Sequence, residues 1–188
     1  MNEEKIAYIS LSQFGDNTNP EWRSAINDLN LKLTQEENIA GVIFDLRNNP
    51  GGYLGDAVFI SSEFIKEGLT VVIEEDGKKG RNELRANRRG LLTEIPVIVL
   101  INKGSASASE IVAGALRDHG RAILIGETSF GKGTIQQAED LGGGAGLHVT
   151  IAKWLTPNGT WVNGVGLTPD ISLAFDSKNP EIDKQLEK

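Results

Sequence analysis

PVIVLINKGSASASEIVAGALRDHG, residues 96–120, reads as a strand, a polar loop and a helix in succession. Pro96 to Ile101 is nearly all apolar, as a strand buried on both faces should be. Ala108, Ile111, Val112, Ala115 and Leu116 then recur on one side of a helix. The helix is expected to stop at His119-Gly120, where glycine can take the left-handed cap. Ala122 to Ile125 follows as a second buried strand. Upstream, Gly41 to Leu46 (GVIFDL) is a short apolar strand that runs into Arg47-Asn48-Asn49-Pro50-Gly51-Gly52, a strong turn signal. Leu54 to Ile65 is expected to be a helix, and Leu69 to Ile73 a strand with Asp76-Gly77 as its hairpin turn.

Farther out, Lys5 to Leu11 alternates partly and reads as a strand. Asn19-Pro20 is the expected start of a helix that carries Trp22, Ala25, Ile26, Leu29 and Leu33 at helical spacing. Thr134 to Leu173 is rich in Gly, Thr and Val and reads as hairpins. Alternation of strand and helix through the middle argues an α/β layered domain over residues 1–175. Residues 176–188 are polar and are expected to fray as a tail.

The 188 residues carry 26 acidic and 19 basic side chains, a net charge of −7, which argues against a phosphate-tracking nucleic-acid binder. The basic cluster Arg81, Arg85, Arg88 and Arg89 is expected to be a solvated face. With no cysteine, zinc-thiolate sites and cysteine nucleophiles are excluded. No apolar run is long enough to span a bilayer, and no signal peptide is visible.

Three segments place polar residues at the ends of buried strands, where α/β folds build sites. In Asp45–Gly52, two consecutive glycines let backbone N–H groups approach a ligand, although a tight turn would explain them as well. In Gly104–Ile111, a small hydroxyl at a strand-to-helix junction faces the positive potential of a helix N-terminus. The plain alternative is capping, with Ser105 or Ser107 as the cap and Glu110 completing a box. Gly126–Thr134 nearly matches a phosphate-binding loop, but Gly133 stands where Ser or Thr is needed and no amphipathic helix follows. His119 is expected to serve a helix C-terminus and His148 to lie in a strand, so a lysine is the better candidate base for a serine.

Taken together, GVIFDLRNNPGG, SASASEIVAGAL, GETSFGKGTIQQ and TPNGTWVNGVGLTPDI resemble the C-terminal processing, or tail-specific, serine peptidases. The pieces occur in that family's order from about Gly41 to Ile171. The resemblance implies a Clp protease and crotonase-like core of repeated β-β-α units with additional β-hairpins. It implies Ser107 as nucleophile, Lys132 as general base and Gln136, four residues on, as a polar partner that holds the lysine. The oxyanion hole would use the backbone N–H of Ala108 and of a glycine in the NPGG turn, Gly51 ahead of Gly52. No metal, nucleotide or other cofactor is implied. Substrates would be proteins bound as an added extended strand. The family is extracytoplasmic and generally carries a PDZ domain, for which this chain shows no sequence. A crotonase-type acyl-CoA hydratase and a non-catalytic peptide-binding relative are the rival readings; neither needs Ser107 and Lys132 together.

A free lysine, with a pKa of about 10.4, is protonated at neutral pH and is no base. Burial against apolar walls disfavours the ammonium, and a neighbouring carboxylate does the opposite. Neither Glu127 nor Glu139 is therefore expected to pair with Lys132.

Overall fold

The computed structural model describes residues 4–35, 38–77, 80–174, 183, 185 and 186. The chain order is β1 (Lys5–Ser10), α1 (Thr18–Thr34), β2 (Ile39–Asp45), α2 (Leu54–Phe64), β3 (Thr70–Asp76) and β4 (Gly80–Arg85), then β5 (Val97–Ile101), α3 (Ala108–Asp118), β6 (Ala122–Gly126), β7 (Thr134–Gly142), β8 (Ala145–Leu155) and β9 (Ile171–Ser172). β1, β2, β5, β6 and β9 form a parallel sheet in the order β1-β2-β5-β6-β9. The others form an antiparallel sheet in the order β4-β3-β8-β7.

The apolar runs predicted as buried strands lie inside in part; Ile43 and Ile98 are half-buried, and Ile123 of β6, expected to be buried, is 50% exposed because it stands on a sheet face that no helix covers there. Phe44 of β2 and Val99, Leu100 and Ile101 of β5 are fully buried. Parallel strands are joined by crossovers that cover the sheet with helices, which is why these runs lack polar alternation. Trp22 of α1 packs on Phe44 and Phe64 with ring centroids 5.3 and 5.8 Å apart, which fastens α1 and α2 to the sheet. α3 is buried along nearly its whole length and contacts α2.

Several expectations need correction. α1 starts at Thr18 with Asn17 as its cap residue, and Asn19 instead donates its side-chain amide to Asp56 Oδ1 at 3.1 Å. The hairpin-rich region proves to be one long hairpin, β7–β8, then an irregular segment and the two-residue β9. Arg88 leaves the solvated cluster: its guanidinium bonds the buried Glu63 at 2.7 Å and lies 4.2 Å from the Phe59 ring centre. A buried carboxylate demands such a partner. Of the expected fraying tail, residues 176–182, 184, 187 and 188 lie outside the described residues. Gln185 is docked and buried: it donates to the Leu173 carbonyl at 2.6 Å and accepts from Arg47 at 3.0 Å. Arg47 can reach it because a guanidinium has five donors, and only some are used on Asp45.

Candidate active site

β2, β5 and β6 are adjacent and parallel, so their C-terminal ends share one edge of the sheet. The three motif segments leave from those ends and converge there. A cavity of about 330 Å³ lies at the convergence, lined by Gly52, Ser107, Ala108, Lys132, Gln136 and His148. Leu54, Ile111, Ile135 and Trp154 supply its apolar walls.

The three serines of the loop have different partners. Ser105 is fully buried and donates to the Leu46 carbonyl at 2.8 Å. Ser109 is fully buried and donates to the Asn49 carbonyl at 2.9 Å. Both hydroxyls serve to seat the loop on the turn after β2. Ser107 alone of the three lines the cavity. Its backbone is strained, with φ 55° and ψ −115°. A non-glycine residue in that region costs of order 1–3 kcal/mol, and such outliers gather at functional sites.

Glu110 supports that strain. It sits at the third helical position and completes the capping box anticipated from the sequence. Its role is wider than a cap. Oε2 accepts the N–H of Ser107 and the N–H of Lys132, both at 2.9 Å. Oε1 accepts the Ser129 hydroxyl at 2.5 Å and the Gly131 N–H at 2.7 Å. One fully buried carboxylate thus binds the serine loop to the lysine loop. Its four donors are what allow an anion to be buried there. Glu110→Gln puts an N–H₂ among those donors. It is expected to cost about 3 kcal/mol of stability in urea unfolding.

The paired glycines pack directly on the serine. A Cβ on Gly51 would lie 2.8 Å from Ser107 Cβ and 2.9 Å from the Ala108 nitrogen. A Cβ on Gly52 would lie 2.0 Å from the Phe14 carbonyl oxygen. The two glycines expected as oxyanion donors are placed differently. Gly51 N–H already donates to Asn49 Oδ1 at 2.8 Å. Gly52 lines the cavity, as does Ala108.

No carboxylate pairs with the Lys132 side chain among the described residues. Glu127 lies 3.6 Å from the exposed Lys103, and Glu139 accepts from Gln137 at 2.8 Å. Gln136 shares the cavity with Lys132, from β7. The Gly126–Thr134 loop enters a strand, so the helix that would hold a phosphate is replaced by β7. Its Gly133 is sterically required, because a Cβ there would lie 2.8 Å from Asn163 Cβ and from the Trp161 indole nitrogen. His119 Nε2 lies 2.7 Å from the Thr70 carbonyl, a structural contact. His148 was not expected near the site. The β7–β8 register sets it opposite Ala138, two positions along from Gln136, and so on the same face.

A family model, peptidase family S41, matches residues 5–173. The chain belongs to peptidase family S41. This S41 chain is 43% identical over 171 residues to a carboxy-terminal-processing protease of Bartonella bacilliformis, covering 90% of the chain and 39% of that relative. It is 38% identical over 170 residues to the carboxy-terminal processing protease CtpB of Bacillus subtilis, covering 89% and 34%. The S41 chain therefore spans less than two-fifths of the length of these curated relatives. Among solved structures, a photosystem II D1 C-terminal processing protease matches with a TM-score of 0.79 at 36% identity, covering 90% of this chain and 42% of that one. The tricorn protease matches at a TM-score of 0.60 and 17% identity, covering 97% and 17%, which shows a shared Clp-like fold.

Proposed function

We propose that this chain is the catalytic domain of a serine endopeptidase that cuts protein substrates near their C-termini with a Ser107–Lys132 dyad. The observation that carries it is the sorting of the three serines. Two are spent on backbone carbonyls, and Ser107 shares a cavity with a lysine that has no acidic partner among the described residues. In this reading the neutral Lys132 amine takes the proton of Ser107 Oγ as it attacks the scissile carbonyl. The N–H groups of Gly52 and Ala108 bind the developing oxyanion, each worth roughly 3 kcal/mol. The Lys132 ammonium then protonates the leaving amine, and water resolves the acyl-enzyme by the same route in reverse. Gln136 holds the lysine without adding charge.

The carboxy-terminal processing names of the relatives support a cut near the C-terminus. An extracytoplasmic location is proposed on the same family ground. Among the described residues no helix is long and apolar enough to cross a membrane. The test is to incubate the chain with β-casein, an unfolded protein, and to map cuts by mass spectrometry. Cuts in β-casein that vanish in the Ser107→Ala chain are expected; an intact β-casein contradicts the proposal.

A further inference from the structure

Asp56 is a buried carboxyl that the proposed dyad does not use. It stands in the first turn of α2, just after Leu54 of the cavity wall. Asn19, in the first turn of α1, donates its side-chain amide to Asp56 Oδ1 at 3.1 Å. The other half of this contact is unmatched. Asp56 Oδ2 and Asn19 Oδ1 are both buried, and neither has a hydrogen-bond partner. A carboxylate can only accept, and so can an amide oxygen. Two buried oxygens without donors, one of them on an anion, are costly.

One proton removes both defects. A carboxylic acid carries an O–H, and an amide offers an N–H and a C=O side by side. A proton on Asp56 Oδ2 is donated to Asn19 Oδ1, and the pair closes a ring of two hydrogen bonds. The surroundings of Asp56 favour the acid. Arg23 of α1 and Arg88 lie over the Phe59 ring instead, and Arg88 is bonded to Glu63. Glu21 of α1 and Tyr53 are exposed. The charge that acts on Asp56 is another acid, Asp16 of the loop before α1. Burial first, then Asp16, push the Asp56 carboxyl above its ordinary range, while the Asn19 bond opposes them. The positive end of α2 favours an anion. Among the described residues, however, no backbone N–H donates to this carboxyl.

The pair lies where two supports of the cavity begin. The loop leading into α1 props the paired glycines: the Phe14 N–H donates to the Gly51 carbonyl at 3.0 Å, and Gly52 packs on the Phe14 carbonyl. α2 starts directly after those glycines. Asn19 and Asp56 tie together the two helices that follow these segments. We propose that Asp56 and Asn19 form a carboxylic acid–amide pair, a pH-sensitive clamp that holds the starts of α1 and α2 together and is released when Asp56 ionises. The clamp goes beyond the peptidase reading and does not depend on it.

A carboxyl that holds its proton more tightly in the folded chain than in the unfolded one stabilises the fold below its ordinary pKa. That contribution fades as pH rises and is gone above the folded pKa. Asp56→Asn is the control, since its amide can make both bonds with Asn19 at any pH and cannot ionise. The urea midpoints of the parent and Asp56→Asn are compared from about pH 4, near the ordinary aspartate pKa, to about pH 8. The difference is expected to grow with pH in favour of Asp56→Asn, by roughly 0.5 M. Hydrogen exchange of the Phe14 and Ala57 amides, which bond Gly51 and Tyr53, is expected to be about threefold faster in the parent at the upper pH and equal at the lower. Carbon-13 NMR of the parent needs no variant: the Asp56 carboxyl, assigned through its own backbone, is expected to titrate above about 3.9. A midpoint difference that shrinks or stays level with pH, a carboxyl that titrates at or below its ordinary value, or equal exchange at the upper pH overturns the proposal. So does a parent midpoint raised by millimolar calcium chloride when that of Asp56→Asn is not, because the two oxygens then hold a cation rather than a proton.

Discussion

Ser107→Ala is expected to lower kcat/KM for β-casein by roughly a thousandfold or more, because loss of a nucleophile removes the acylation step. Ser105→Ala and Ser109→Ala are expected to behave differently. Each removes a hydroxyl that donates to a buried carbonyl, of Leu46 or Asn49. Each carbonyl keeps a backbone donor, the Asn49 N–H at 3.2 Å for Leu46 and the Ala106 N–H at 3.0 Å for Asn49, so the loss is expected to be about 1 kcal/mol, visible in urea unfolding. Their kcat/KM should fall only as far as the loop loses its seat on the turn after β2. A Ser107→Ala chain as active as its parent would overturn the assignment.

Lys132→Arg is expected to reduce kcat/KM to the level of Ser107→Ala. A guanidinium stays protonated and cannot accept the serine proton. Charge and approximate length are kept, so a role for Lys132 as a mere cation would survive this change. Lys103→Ala is the control. That side chain lies on the same strand-to-helix loop but is 81% exposed and 3.6 Å from Glu127. It should retain nearly full activity, since exposed ion pairs of this kind contribute little.

Much of the fold was legible in local sequence. PVIVLI and GVIFDL, apolar but for Asp45, were legible as strands, and the structure buries Val42, Phe44, Val99, Leu100 and Ile101 while leaving Ile43 and Ile98 half-buried. The order of the three motif segments was legible too, and adjacent parallel strands bring them together. What local sequence could not show are contacts set by register or by distant residues. Glu110 read as a cap because its spacing to Ser107 is local. Its bonds to Ser129, Gly131 and Lys132 exist only once the loops after β5 and β6 meet. The bond that occupies the Gly51 N–H comes from the Asn49 side chain, which turn composition does not specify. His148 reaches the cavity through the β7–β8 register, which turn composition alone did not fix. Gln185 docks because Arg47, far away in sequence, has donors to spare.

The presence of His148 beside Ser107 and Lys132 makes the identity of the base the point to test. The decisive measurement is kcat/KM for β-casein against pH, for the parent chain and for His148→Gln. If the neutral amine of Lys132 is the base, activity rises with pH as that amine loses its proton. The rising limb is then expected unchanged in His148→Gln. A limb that vanishes with His148→Gln would assign the base to the imidazole and contradict the Ser–Lys dyad.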